Sequence, residues 1–172
     1  MLVSFTFLAC QSSPPEVKSN NGTEVDNDHQ MKVEEGLREA NDMFYAALNA
    51  MFIGDLEPMD DIWSHDTRGT DMGPFGGRLT GWEAIRAEFK KEADMKLGGK
   101  VVCKDLHIYA RKNMGYTICV EEGENMSADG KSVVVRHRAT NIFQLEDGKW
   151  KLIHHHTDLS PQLQEAIPME AE

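Results

Sequence analysis

The apolar positions of this chain change period once. Val33, Leu37, Ala40, Phe44, Ala47, Leu48, Met51 and Phe52 recur at helical spacing, which predicts a long amphipathic helix. Gly54-Asp55 closes it, because glycine adopts the left-handed conformation after a helix end without a Cβ clash. Leu56, Met59, Ile62 and Trp63 predict a short second helix over about 56–63. Residues 64–79 hold four Gly and one Pro and predict a loop with room for one short strand. Trp82, Ile85, Phe89 and Ala93 form the apolar stripe of a third helix. Thr80 and Glu83 have the spacing of a capping box at its start, and Gly98-Gly99 ends it. From Lys100 onward the period becomes two. Strands are expected at about 100–110, 114–124, 132–146 and 149–158, with hairpins near Lys112-Asn113, within 123–130, and at Asp147-Gly148. The fold class is therefore α+β: three helices, then an antiparallel meander of long strands. A long helix packed on one face of a strongly twisted sheet makes a cone with one closed and one open end.

With 172 residues, the chain is long enough for one domain plus extensions. A net charge of −11 and a pI near 5.0 exclude a nucleic-acid partner, which would need a basic face. Lys131, Arg136, Arg138 and Lys149 cluster in sequence, but Glu121, Glu122, Glu124 and Glu146 lie nearby, as on a mixed, solvated sheet surface. No apolar run is long enough to span a bilayer. The opening "MLVSFTFLAC" is apolar and is followed by a polar stretch containing Pro14-Pro15. This pattern resembles a bacterial lipoprotein signal over 1–10, which implies cleavage before Cys10, a lipid on its sulfur, and a disordered tether over 11–30. The alternative is a truncated secretory signal with an incidental cysteine, since no Lys or Arg precedes the apolar run. The expected location is the cell envelope, or a secreted or periplasmic one, with membrane contact only through the lipid. The domain then covers 31–159, and 160–172 is a frayed acidic tail. A two-residue turn at Lys112-Asn113 would set Cys119 opposite Leu106. Cys103 and Cys119 would then lie on opposite faces, out of disulfide range, as buried free thiols.

Three segments, "ANDMFYAALNAMFIGDLEPMDDIWSHD", "GPFGGRLTGWEAI" and "RATNIFQLEDGKWKLIHHHTD", resemble in order and spacing the SnoaL-like branch of the nuclear transport factor two-like superfamily. The last also resembles the association domain of calcium/calmodulin-dependent kinase. The resemblance spans roughly residues 33–159. It implies a cone-shaped domain, a homodimer through the sheet, and a pocket at the open end. The superfamily holds cyclases, isomerases, dehydratases and hydrolases as well as non-catalytic binding and assembly domains, so fold alone does not give the function.

Strict strand alternation puts Trp150, Leu152, His154, His156 and Asp158 on one face and Lys151, Ile153, His155 and Thr157 on the other. The face with Trp and Leu is expected to point inward, making His154 and His156 the pair of interest and His155 a bystander. A histidine near neutral pKa moves protons when a carboxylate orients it; Asp158 and Asp71 are the candidates. Two histidines at i, i+2 could share a metal with a third ligand from His65, Asp66, Asp71, His107 or His137, but no local spacing resembles a zinc motif, and no metal or organic cofactor is expected. Arg138 either points inward, to hold a carboxylate or enolate, or pairs with a helix Glu or Asp and stabilises the dimer or the sheet edge. Trp63, Phe75 and Tyr116 are candidate pocket aromatics; Trp82 is mostly core. Three functions stay open: binding of a small, largely apolar molecule in the cone, cofactor-independent acid–base catalysis there, or assembly with the cone filled.

Overall fold

The computed structural model describes residues 21–96, 98–127 and 129–167. The expected signal at 1–10, with Cys10, lies outside the described residues, as do 11–20 and 168–172. Among the described residues, no helix is long and apolar enough to cross a membrane.

Helix α1 runs Asn21–Met51, α2 Glu57–Ile62 and α3 Trp82–Met95. The long strands are β3 (Gly99–Arg111), β4 (Met114–Met126), β5 (Ser132–Glu146) and β6 (Lys149–Thr157), each within two residues of its expected bounds. Two short strands, β1 (Thr70–Met72) and β2 (Leu79–Thr80), come from the glycine-rich loop, and a final helix, α4, spans Pro161–Ala166. The sheet order is β2-β1-β6-β5-β4-β3. Every pairing is antiparallel except β1 with β6, which is parallel.

Four expectations need correction. The first ten residues of α1 occupy the stretch assigned to a tether, which therefore does not extend to 30. The Thr80–Glu83 capping box does not form: Thr80 belongs to β2, Gly81 is the N-cap, and no side chain caps the helix. Instead Gly81 and Trp82 donate their backbone N–H groups to the carbonyls of Gly69 and Asp66. At the far end Lys96, not a glycine, takes the left-handed position that ends α3. The tail is not frayed as far as residue 167, because α4 folds back and buries Leu163 and Ile167 against the core.

Leu37, Ala40, Phe44, Ala47 and Met51 give α1 its buried stripe. Burying each of the larger ones is worth about 1.5–3 kcal/mol. The helix lies very close to the sheet at Gly115, where an added Cβ would sit 2.5 Å from Leu37 Cδ2, so only glycine fits. Trp63 is fully buried; it stacks on Trp82 with ring centroids 6.2 Å apart and meets Phe89 edge-on at 5.7 Å.

Two bulges bend the long strands. On β3 the register jumps between Lys104 and His107, so Asp105 and Leu106 together face one residue of β4. Asp105 has φ 52°, the left-handed bulge position. On β6, Leu152 pairs with Phe143 and His154 with Ile142, which leaves Ile153 as the extra residue. Each bulge reverses the faces of the residues beyond it.

Candidate functional site

The β6 bulge inverts the expected sorting of the histidines. Leu152 is buried, and beyond Ile153 it is His155 and Thr157 that turn inward. His155 packs against Phe44 of α1 with ring centroids 5.0 Å apart. His154 and His156 face outward. His154 Nδ1 lies 2.7 Å from Thr70 Oγ1, and burial together with the neighbouring His156 lowers the His154 pKa. Asp158 is also outside, where it takes a bidentate ion pair from Arg138 at 2.9 Å on each arm. Arg138 is 81% exposed and points outward; its partner is an acid just past β6 rather than one on a helix, and β5 lies inside the sheet rather than at its edge. The Arg138 guanidinium keeps the Asp158 carboxyl near 2, below the usual carboxylate range. Tyr116 lies on the outer face of the sheet, its ring stacked on Tyr109 at 5.4 Å. Trp63 is part of the closed core. Of the eight residues singled out for chemistry or ligand contact, the structure places Phe75 in the cavity wall and Asp71 on the inner face of β1.

The cavity is at the open end of the cone and has a volume of about 80 Å³. Apolar walls come from Leu48 of α1 and Phe52 just past its end, Phe75, Val101, Val135, and Leu163 with Ile167 beside α4. The C-terminal segment fixes Phe75: Gln164 Nε2 donates to Phe75 O at 2.8 Å, and the Ser160 N–H donates to Pro74 O at 3.0 Å. The polar wall consists of Glu92, Glu121, Asn125, His137 and His155. Among the described lining residues there is no Lys or Arg.

Glu121 and His137 sit directly opposite each other on β4 and β5. His137 Nε2 lies 2.6 Å from Glu121 Oε2, with both side chains buried. The second carboxylate oxygen accepts from Tyr45 Oη at 2.9 Å. Burial alone would push the Glu121 carboxyl up. The His137 hydrogen bond, the attraction that His155 and His137 exert when protonated, and the Tyr45 bond outweigh it and hold the group below its usual range. A carboxylate at Oε2 makes His137 Nε2 the protonated nitrogen; among the described residues His137 Nδ1 has no hydrogen-bond partner.

A second chain of hydrogen bonds fixes His155. Thr117 Oγ1 and Asn141 Nδ2 both donate to Asn41 Oδ1, at 2.7 and 3.2 Å. Asn141 therefore presents its oxygen to His155 Nδ1, 2.6 Å away, and that nitrogen carries the proton. Burial drives the His155 pKa down to about 4, so the ring is neutral at physiological pH. Two further acids are kept neutral longer than usual. Burial, with the charges of Glu121 and Glu88, pushes Asp71 up to about 7. Burial, with Asp71 and Glu88, pushes Glu92 up to about 8.

His137 belongs to the inward alternation Val135, His137, Ala139, Asn141, Phe143, but its pairing with Glu121 depends on the β4–β5 register. Tyr45 and Asn41 are hidden inside an apolar helical stripe. His155 is concealed by a bulge that has no glycine to mark it.

A six-stranded curved sheet wrapped by helices around a partly polar cavity defines the cone-shaped α+β class of nuclear transport factor 2-like and cystatin-like domains. Within that class the model of the SnoaL-like domain matches residues 37–160, and the chain belongs to this family. It is similar in structure to a candidate dehydratase of the nuclear transport factor 2-like family from Streptomyces avermitilis, with a TM-score of 0.67 at 19% identity, covering 77% of this chain and 99% of that one. A candidate calcium/calmodulin-dependent protein kinase type II association domain from Thiobacillus denitrificans aligns with a TM-score of 0.59 at 23% identity, covering 70% of this chain and 92% of that one. A protein with a cystatin-like fold from Caulobacter vibrioides aligns at 0.62 and 15% identity, over 80% and 96%. At these identities the likeness shows the fold alone. No curated protein matches the chain by sequence.

Proposed function

We propose that the cone takes up a small, largely apolar molecule and moves a proton on it without an organic cofactor, as an acid–base lyase or isomerase. The observation that carries this reading is the 2.6 Å contact between His137 and Glu121 on the wall of the cavity. With Nε2–H directed at a carboxylate, His137 offers the lone pair of Nδ1 as a base, and Glu121 stabilises the imidazolium that results. Glu92, pushed up to about 8, is mostly protonated at neutral pH and supplies a general acid from another wall of the same cavity. A base and an acid held apart in one small cavity suit elimination of water beside a carbonyl, or migration of a double bond. The absence of Lys and Arg from the described lining favours a neutral or cationic ligand over an anionic one. The candidate dehydratase from Streptomyces avermitilis shares this fold and adds to the plausibility of the reaction class.

Proton NMR in D2O tests this with a panel of small cyclic and aromatic ketones and β-hydroxy ketones. Protein-dependent deuterium uptake or dehydration is expected, abolished in His137→Asn and Glu121→Gln variants that keep the native circular dichroism spectrum. Occupancy of the cavity by these compounds with no exchange above the buffer rate would overturn catalysis and leave a binding protein. That second reading rests on the predominantly apolar walls. The location read from "LAC" at residues 8–10 is part of the proposal; radiolabelled palmitate incorporation that Cys10→Ser abolishes is its test.

A further inference from the structure

The β3 bulge has a second result. It brings Cys103 and Cys119 to the same inner face of the sheet, contrary to the opposite faces expected from an unbroken register. Both thiols are free and both meet α1: Asn41 Nδ2 lies 3.7 Å from Cys103 Sγ, and Tyr45 Oη 3.1 Å from Cys119 Sγ. Asn41 and Tyr45 are one helical turn apart, so one face of α1 covers both sulfurs. Cys103 pairs with Glu121 of β4, and Cys119 is two residues from Glu121 on the same face of that strand. Cys103 is half-buried and Cys119 is buried.

We propose that Cys103 and Cys119 are a reversible dithiol site that closes to an intramolecular disulfide in exchange with a small-molecule disulfide such as oxidised glutathione. The Cys103 thiolate attacks one sulfur of the small disulfide and expels one glutathione thiolate, leaving a mixed disulfide on Cys103. Cys119 then loses its proton, its sulfur attacks Cys103 Sγ, and the second glutathione leaves as a thiolate. The protein loses two protons and two electrons, and one oxidised glutathione becomes two reduced ones. The order of attack follows from access, since Cys103 is the more exposed thiol. It also follows from chemistry: hydrogen bonding from Cys119 lowers the Cys103 pKa, while the same contact and burial raise that of Cys119. Closing the bond draws Cys119 Sγ towards Cys103, next to the Tyr45 hydroxyl that also holds Glu121. The proposal does not depend on what the cavity binds.

The test is incubation of the full chain carrying Cys10→Ser in glutathione buffers of graded redox poise, followed by acid quenching, intact mass and peptide mapping. The expected result is loss of two hydrogens, a cross-linked peptide pair containing Cys103 and Cys119, and full recovery with dithiothreitol. Cys103→Ser should stay unmodified, and Cys119→Ser should stop at a glutathione adduct on Cys103. If Cys119→Ser fails to fold, Cys119→Ala is the replacement. Free thiols across the whole range, a persistent adduct on Cys103 in the parent chain, or a cross-link that forms only in urea would each overturn the proposal.

Discussion

His155 and Leu152 lie on the same face of β6 although they are three positions apart, because Ile153 has no partner on β5. The inner face of the strand therefore presents His155, hydrogen-bonded to Asn141, beneath Phe44. His155→Ala leaves a cavity there and an unpaired buried Asn141 oxygen, a loss of about 1–3 kcal/mol. His154→Ala removes one half-exposed contact with Thr70 and costs less than about 1 kcal/mol. Urea denaturation of both variants checks this; a larger loss for His154 would mean that β6 runs without the bulge. The pH dependence is fixed in sign. The His155 pKa is lower folded than unfolded, so its neutral form stabilises the fold. That contribution is present above the unfolded value of 6.5 and is lost as pH falls from there towards about 4.

Asp71 should show the opposite trend. Its carboxyl is buried on β1, one oxygen has no partner among the described residues, and the charges of Glu121 and Glu88 add to the effect of burial. The folded pKa of about 7 lies above the unfolded 3.8, so the folded protein binds more protons between those values. Stability contributed at this site is greatest below the unfolded pKa and falls as pH rises towards 7. Asp71→Asn cannot ionise, so it should gain thermal midpoint over the parent chain as pH is raised from about 4 to about 7, on the order of a few kcal/mol at the upper end. A difference in melting temperature that does not change with pH would show that Asp71 is not held neutral by its surroundings.

The contrast between these two residues shows how far the chain could be read without coordinates. Period alone was enough for the three helices and four long strands, because each buries a continuous apolar stripe: Leu37 to Met51 on α1, Trp82 to Ala93 on α3. It failed where one residue was added without a glycine or proline to mark it. Ile153 moved the histidines across the sheet, and Asp105-Leu106 did the same for the cysteines. Asp71 was read as a loop carboxylate because a three-residue strand paired in parallel has too few positions to show an alternation. Glu121 and His137 stood in the sequence as two ordinary polar residues sixteen apart; only the β4–β5 register makes them a pair.

Arg138 gives a prediction of no effect. Its guanidinium forks onto Asp158 on the outer surface, 81% exposed and remote from the cavity lining. Exposed ion pairs contribute little, because water screens them and two long side chains must be ordered. Arg138→Ala should leave both the thermal midpoint and the uptake of an apolar fluorescent probe by the cavity unchanged. Reduced probe affinity would place Arg138 at the pocket after all.

The outer face of the sheet leads to the last prediction. Tyr109, Met114 and Ile118 are 44%, 48% and 43% exposed, and with Tyr116 and Ile142 they form one apolar patch across β3, β4 and β5. A group of this kind on an otherwise charged surface marks an association site more often than a bare one. The patch lies on neighbouring paired strands, and equivalent faces of two copies can meet across a two-fold axis. The expected state in solution is therefore a homodimer through this face. Ile118→Glu would place two like charges near that axis and should give a monomer in sedimentation velocity, with a circular dichroism spectrum like that of the parent chain. Because Ile118 points away from the cavity, the monomer should still take up an apolar probe, unless the second copy is needed to hold the sheet's curvature. A parent chain that sediments as a monomer at micromolar concentration would exclude the dimer. A dimer that survives Ile118→Glu would move the interface off this patch.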